Sequence, residues 1–349
     1  MNFCVEISPR YLTNTGLESI LTSARIAESA GIESIWLPED PFHWDAFAVL
    51  GAIATATDQI RLGTGVTNPY VRPPHLQAMS VSTLDRLSKG RAFLGLGRSL
   101  PAWYQQLLST NVRNSVNVME ETISLLRQWW EPPYQASSSG YFNVNKLSRG
   151  FSGIQCQLPI YIAAVGPKML KLAANIADGV VFAWPSVMFL ENIIPVLKQN
   201  VMQSGRNPDD VSIIVQTGFE VTENRDRTLE KMKDRMAVIH SVPGFDRVLQ
   251  SKNFDVPEII ARVKTALNSD QILAAGGWTR EFRETADWET VRTAIPLDLM
   301  DQVAIVGSSA KIGATLELYE RLGVTHIFIP PPMKTTCEEY SSLVKSIRL

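Results

Sequence analysis

Apolar residues recur along the chain with two alternating spacings, and this alternation predicts the secondary structure. Residues 3–7 alternate apolar and polar side chains as a strand does, and residues 16–30 place apolar side chains along one helical face. Gly31 then ends the predicted helix, as a C-terminal glycine commonly does. The same succession of a short apolar strand and an amphipathic helix continues along most of the sequence.

Eight strands are predicted in this way, and helices follow nearly all of them. The predicted strands cover residues 3–7, 34–37, 61–66, 92–96, 159–163, 179–182, 212–217 and 326–329. Strands that alternate with helices run parallel and are joined by right-handed crossovers. Eight such units favour an α/β fold of the (β/α)8 TIM-barrel type, and an open doubly wound sheet is the competing arrangement.

Two segments interrupt the alternation of strands and helices. Residues 131–158 read as a polar loop with a short hairpin, and residues 222–308 are charged and helical. Helices are predicted at 226–240 and 257–267 within the second segment. We interpret both segments as insertions into a single domain that spans residues 1–349, and we expect the second to shape the substrate entrance.

Composition narrows the class of protein further. Of the 349 residues 45% are hydrophobic, and the net charge of −2 gives no general attraction to nucleic acid or anionic membranes. No apolar run approaches the ~20 residues that cross a bilayer. Three distant cysteines suit a reducing compartment and lack metal-ligand spacing. These features predict a cytoplasmic protein without nucleic-acid, membrane or metal partners.

Small residues end four consecutive predicted strands, and this predicts the position of a binding site. In a barrel the site lies at the carboxyl ends of the strands. The small residues are Gly63, Gly65, Gly95, Gly97, Ala163, Ala164, Gly166 and Ala183. We expect them to leave a slot of exposed backbone that suits a flat heteroaromatic ring. Ordinary turn chemistry is the alternative for each glycine taken singly.

Polar side chains at the same strand ends are candidates for chemistry. Asp40, His43 and Trp44 follow the second strand, and Arg98 follows the fourth. The histidine could be structural, the aspartate could cap a turn, and the arginine could pair on the surface or face an anionic ligand group. A helix start at Gly166-Pro167-Lys168 could bind phosphate through its free N–H groups.

Three stretches carry a resemblance to a known family. VTNPYVR at 66–72, STLDRLSKGRAFLGLG at 82–97 and AAVGPKMLKLAANIADGVV at 163–181 together resemble the luciferase-like monooxygenase superfamily. The similarity is strongest to the branch that uses the deazaflavin coenzyme F420, exemplified by methylenetetrahydromethanopterin reductase. The resemblance implies a TIM-type barrel with insertions, a homodimer and a small-molecule substrate.

The resemblance also implies roles for individual residues. The third strand would end in a bulge with a cis peptide bond at Gly65–Val66, which presses on the back of the deazaflavin ring. Asp40 and Asn68 would make polar cofactor contacts. The remaining implied cofactor contacts are Gly97, Ala163, Ala164, Gly166, Ala183, Trp184 and Pro185. Arg98 and Lys168 are added to the predicted cofactor-binding residues because of their positive charge. We expect His43 to exchange a proton near the ring and Trp44 to form an apolar wall, with Asp40 orienting the ring.

Some positions depart from the family pattern. The sugar-phosphate dehydrogenases of this branch have a histidine where this chain has Pro41 and a catalytic glutamate where it has Arg98, and their phosphate-binding lysine near 186–187 is absent. Their acid–base scheme is therefore not expected. The leading hypothesis is an F420-dependent oxidoreductase. The alternatives are an FMN-dependent monooxygenase that needs a flavin reductase partner, and a cofactor-binding barrel without turnover.

Overall fold

The computed structural model describes residues 1–8, 13, 15–40, 42–110 and 112–348. Within these residues eight parallel strands close into a barrel, in which the strands are neighbours in the order in which they follow one another along the chain. The barrel strands are β1 (Asn2–Glu6), β2 (Ser34–Leu37), β3 (Arg61–Thr64), β4 (Ala92–Leu96), β7 (Ile160–Ala163), β8 (Gly179–Ala183), β9 (Ser212–Gln216) and β12 (His326–Ile329). All eight correspond to predicted strands, so the (β/α)8 prediction is confirmed and the doubly wound sheet is excluded.

The helices cover the outside of the barrel and build the second insertion. They are α1 (Leu17–Ser29), α2 (Ala46–Ala56), α3 (Pro74–Leu87), α4 (Ser115–Trp130), α5 (Pro167–Ile176), α6 (Val187–Gln203), α7 (Arg225–Ser241), α8 (Val256–Leu267), α9 (Ser269–Ala274), α10 (Thr279–Thr285), α11 (Trp288–Ala294), α12 (Leu297–Met300), α13 (Ser309–Leu322) and α14 (Cys337–Ile347). None of them is long and apolar enough, over the residues described, to cross a membrane.

Helix capping sets the N-termini of the last two helices. Helix α13 begins at Ser309, where the Ser308 side chain accepts a hydrogen bond from the backbone N–H of Lys311. The final helix α14 was not predicted; its N-terminus is stabilised by reciprocal hydrogen bonds between Thr336 and Glu339. These caps are polar and local, so apolar periodicity does not report them.

The two insertions differ in structure. The first forms the predicted hairpin, in which β5 (Gln135–Ser138) pairs antiparallel with β6 (Val144–Ser148). The second contains the helices α7 to α12, as its helical pattern predicts. It also ends in an unpredicted strand, β11 (Ile305–Gly307), which pairs in parallel with β10 (Phe219–Val221). This small sheet ties both ends of the helical segment together next to the rim.

Aromatic side chains fill the inside of the barrel. The Trp36 ring lies 4.4 Å from the Phe93 ring and 5.3 Å from the Tyr161 ring, centroid to centroid. The Trp36 indole N–H donates to the Ser34 hydroxyl at 2.9 Å. The interior is therefore packed with side chains, so a ligand can bind only above this aromatic layer.

Candidate active site

A cavity of about 1080 Å³ lies at the carboxyl ends of the barrel strands. The barrel contributes one wall, with Glu6, Glu39, Asp40, Gly65, Val66, Trp184, Gln216 and Phe328. The second insertion contributes the opposite wall, with Lys231, Met232, Asp234, Arg235, Trp278, Phe282, Arg283, Trp288 and Arg292. The second insertion therefore lines the cavity together with the barrel.

Glycines at the strand ends serve close packing, which corrects the expectation of an open slot beside them. A Cβ atom added at Gly95 would lie 2.0 Å from the Thr64 carbonyl oxygen, and one at Gly97 would lie 2.6 Å from Cγ2 of Val66. A Cβ at Gly63 would lie 2.3 Å from the Phe93 ring. The expected open space is therefore already filled at these positions. Gly65 is the strand-end glycine that both packs closely and lines the cavity.

Residues 65–67, directly after β3, form a fixed ledge of backbone on the barrel wall of the cavity, called the shelf below. The peptide bond Gly65–Val66 is cis, as the family resemblance implied, and the regular strand ends at Thr64, before the predicted end at 66. The backbone N–H of Thr67 donates to the Gly95 carbonyl at 2.9 Å, and the N–H of Gly97 donates to the Thr67 carbonyl at 2.9 Å. The shelf is thus held to strand β4.

An ion pair between Arg72 and Glu39, which was not predicted, lies beside this shelf. The Arg72 guanidinium donates to Glu39 Oε1 from Nε at 2.9 Å and from Nη2 at 2.6 Å. The Thr67 hydroxyl donates to the other oxygen of the same carboxylate, and Arg72 also pairs with Asp45. Glu39 lines the cavity while its charge is balanced, so it is a fixed acceptor at the rim.

Two further polar side chains reach the cavity from β1 and β9, the two neighbours of β12 in the barrel. Glu6 ends β1 and Gln216 ends β9, and the Gln216 amide donates a hydrogen bond to the Glu6 carboxylate. Neither residue was predicted, although the rule that barrel sites use strand ends applies to both. The apolar patterns used to find the strands did not reveal these polar end positions.

Asp40 and His43 lie together after β2, as predicted, but only Asp40 lines the cavity. The backbone N–H of Phe42 donates to Asp40 Oδ1 at 3.0 Å, and His43 Nε2 lies 3.7 Å from Asp40 Oδ2. Trp44 is 46% exposed and is not among the residues that line the cavity, so the expected apolar wall is not formed by it. Pro41 lies outside the described residues.

Asn68 is buried, and its hydrogen bonds are used within the protein. The side-chain amide donates to the Tyr104 hydroxyl at 2.8 Å and accepts from the backbone N–H groups of Tyr70 and Val71 at 3.0 and 3.1 Å. Burial raises the pKa of Tyr104 to about 12, so its hydroxyl stays protonated at neutral pH. Asn68 therefore shapes the turn after the shelf.

Basic side chains gather near the N-terminus of α5, beyond the barrel wall. Gly166 occupies the N-cap position without a side-chain cap, and Lys168 is exposed in the first turn. A Cβ at Gly166 would lie 3.7 Å from an Arg247 guanidinium nitrogen. Arg98 donates to the Pro243 carbonyl at 3.5 Å, so it also faces the second insertion.

The remaining predicted small residues lie at strand ends but are not among the residues that line the cavity. Ala163 ends β7 and is followed by the buried Ala164. Ala183 ends β8 and is half-buried, and Pro185 two residues later is buried. Trp184 lies between them with a left-handed φ of 51°, and its N–H donates to the Gln216 carbonyl at 2.6 Å. This turn directs the buried Trp184 ring to the cavity, next to the insertion.

Comparison with known proteins defines the class to which this fold and site belong. Residues 1–326 match the sequence family described as luciferase-like monooxygenase. The chain therefore belongs to the luciferase-like monooxygenase family.

Individual relatives are more specific. The 5,10-methylenetetrahydromethanopterin reductase of Methanopyrus kandleri is 26% identical over 337 residues, which cover 92% of this chain and 90% of the relative. The solved structure of the coenzyme F420-dependent tetrahydromethanopterin reductase from the same organism superposes with a TM-score of 0.78 at 23% identity, covering 98% and 96% of the two chains. An F420-dependent secondary alcohol dehydrogenase superposes with a TM-score of 0.72 at 17% identity, covering 100% and 99%. These two superpositions concern the fold.

Proposed function

We propose that this protein is a coenzyme F420-dependent oxidoreductase that transfers a hydride between the deazaflavin ring and a small organic substrate. The observation that carries the proposal is the cavity itself, with the Gly65–Val66 shelf on one wall and the second insertion on the other. Relatives whose names include F420 dependence support the choice of F420 over FMN.

The chemistry of the donor groups fits the anionic part of this cofactor. The first turn of α5 has backbone N–H groups without a side-chain cap, and such groups bind phosphate. Lys168 in that turn and Arg247 beside Gly166 add positive charge. We assign these groups, together with Arg98, to the phosphate and tail of the cofactor.

The barrel wall suits the ring. When bound, the deazaflavin supplies the hydride chemistry at C5 of its ring. Gly65 and Val66 would support one face of the ring, and Ala163 and Ala164 would contact its edge. Asp40 would orient it by accepting a hydrogen bond. The other predicted contacts would surround the ring: Asn68, Gly97, Ala183, Trp184 and Pro185.

Proton exchange would use the acidic groups at the strand ends. His43 lies next to Asp40, whose carboxylate lines the cavity, so a proton can pass between solvent and cavity through this pair. Glu6, fixed by Gln216, is a second carboxylate on the same wall. Trp278, Phe282 and Trp288 on the insertion would exclude water from the substrate, in the role first expected of Trp44.

We further propose that all 349 residues form one domain, that the protein acts as a homodimer and that it is cytoplasmic. Leu100, Tyr104 and Trp184 of the barrel rim belong to the apolar core of the second insertion, which supports a single unit. The cysteines Cys156 and Cys337 are exposed free thiols, which suits a reducing compartment. The family resemblance supports the dimer.

Anaerobic calorimetric titration with F420 and with FMN tests the proposed function. We expect F420 to bind more tightly than FMN. The double variant Lys168→Gln/Arg247→Gln should weaken F420 binding about tenfold, because a charge-assisted contact to phosphate is lost. The same variant should leave binding of a deazaflavin analogue without phosphate unchanged. Lys171→Gln/Arg262→Gln is the control of equal charge. Tight binding of FMN without binding of F420 would refute the proposal.

A further inference from the structure

The wall that the second insertion contributes to the cavity carries an excess of positive charge. Four cationic side chains line it: Lys231, Arg235, Arg283 and Arg292. Asp234 is the acidic residue among the described lining residues of this wall, and both of its oxygens accept from Arg292, at 2.8 and 2.7 Å. Lys231, Arg235 and Arg283 thus remain unbalanced, since the structure gives none of them a carboxylate partner within 4.0 Å among its described residues.

The carboxylates of the barrel wall do not form ion pairs with these cations. Glu39 pairs with Arg72 on the barrel wall itself. Glu6 accepts from the Gln216 amide and Asp40 from the backbone N–H of Phe42; both donors are neutral, so these hydrogen bonds do not cancel the charge of the two carboxylates. The carboxylates and the three unpaired cations therefore lie on different walls of the cavity.

Helical geometry keeps two of the cations together. Lys231 and Arg235 are four residues apart on α7, so their side chains lie one turn apart on the same face. Like charges at this spacing repel each other, and a concave wall of low polarizability strengthens their field. An anion bound in the cavity would relieve this repulsion.

The rest of the same wall is aromatic. Trp278 and Phe282 lie with their ring centroids 5.9 Å apart, and Trp288 lines the cavity next to them. The same wall of the cavity therefore carries both aromatic rings and the unpaired cations Lys231, Arg235 and Arg283. Such a combination binds a molecule with an aromatic or otherwise flat apolar body and an acidic group.

We infer that the substrate of this enzyme is an organic anion, whose carboxylate, sulfonate or phosphate group is bound by Lys231, Arg235 and Arg283 while its apolar body packs on Trp278, Phe282 and Trp288. That the bound anion is the substrate rests on the proposed function. That an anion binds here rests only on the residues of the second insertion. The cofactor tail is bound elsewhere, by the basic groups at α5, so the two anionic ligands have separate sites.

Calorimetric titration with a matched pair of probes tests this assignment. Naphthalene-2-sulfonate and naphthalene-2-sulfonamide have the same ring and nearly the same shape, and differ in charge. We expect the wild-type protein to bind the sulfonate about tenfold more tightly. This preference should disappear in the triple variant Lys231→Gln/Arg235→Gln/Arg283→Gln and shrink at high ionic strength. Binding of the sulfonamide should stay unchanged.

A control variant separates a local site from net charge. The triple variant Arg227→Gln/Lys252→Gln/Arg262→Gln removes the same charge from the same insertion, away from the cavity lining. It should keep the full preference for the sulfonate. Equal binding of the two probes by wild type, or equal loss of preference in both triple variants, would overturn the inference.

Titration with F420 distinguishes the substrate from the cofactor tail. The cavity triple variant should bind F420 with unchanged Kd. A loss of F420 affinity that matches the loss of sulfonate affinity would assign the three cations to the tail and overturn the inference. Absence of F420 binding in every variant, with the sulfonate preference intact, would refute the proposed function and leave the anion site standing.

Discussion

Replacement of Gly65 by alanine tests how the barrel wall of the cavity is held in place. The added Cβ would lie 2.8 Å from Cβ of Trp36 and 3.2 Å from its ring atom Cε3. Trp36 is 2% exposed, and its ring is in contact with Phe93 and with Phe328, at centroid distances of 4.4 and 5.5 Å. Its indole N–H is also bound to Ser34. Trp36 therefore cannot yield without moving the aromatic layer beneath the site.

The expected cost follows from this confinement. An added methylene in a well-packed core costs about 1–3 kcal/mol, and the contact of 2.8 Å with a buried tryptophan places Gly65→Ala at the upper end, at about 3 kcal/mol. Gly51→Ala is the matched control. Its Cβ would meet only Leu87, at 3.6 Å, inside helix α2, so alanine should be neutral or stabilise by up to about 1 kcal/mol.

Urea denaturation of the two variants and of wild type measures the difference. We expect the free energy of unfolding of Gly65→Ala to fall below that of Gly51→Ala by about 3–4 kcal/mol. Because Gly65 lines the cavity, F420 binding should weaken in the first variant only. Equal stability of the two variants would refute the view that the close approach of Trp36 leaves no room for a side chain at position 65.

Two further predictions concern buried polar groups. Burial lowers the pKa of His240 to about 4, so between pH 6.5 and 4 the unfolded chain takes up a proton that the folded protein refuses. The free energy of unfolding should therefore fall by roughly 3 kcal/mol as the pH falls through this window. His240→Gln should remove that part of the pH dependence, as measured by urea denaturation at several pH values. An unchanged pH profile in the variant would contradict the assignment to His240. The buried Asp85 carboxylate accepts from the N–H groups of Ile154 and Gln155 at 2.6 and 2.8 Å, so Asp85→Asn should cost about 2–3 kcal/mol and speed amide exchange at 153–155. The exposed control Asp58→Asn should change neither, and normal protection in Asp85→Asn would show that the carboxylate does not hold this segment.

The elements of the barrel could be predicted because they depend on local patterns. Four-residue strands such as 34–37 and 326–329 were located to the residue, since each is a continuous apolar run bounded by polar or turn residues. The short strands β10 and β11 were missed because three residues are too few for a pattern to form. The end of β3 was misplaced because an apolar sequence continues through Gly65 and Val66 after the strand has ended.

The candidate site could be predicted only where it depends on position in the fold. Strand ends pointed to Asp40, Gly65, Val66 and Trp184, all of which line the cavity. The same rule could have found Glu6, since it too ends a strand. The partners of these residues could not be predicted, because they come from strands and helices that are distant in sequence.

The sequence by itself determined the succession of eight strands and their helices, since apolar spacing within each short segment already specifies strand or helix. It favoured a barrel over an open sheet, and the pairing of β1 with β12 in the tertiary structure decided between them. Only the tertiary structure decided which small residues serve packing and which face a ligand, because that depends on atoms such as the Trp36 ring near Gly65. It also decided which charges are balanced. Arg292 and Asp234 are 58 residues apart in the chain, yet their pairing leaves the neighbouring cations of the cavity wall unpaired.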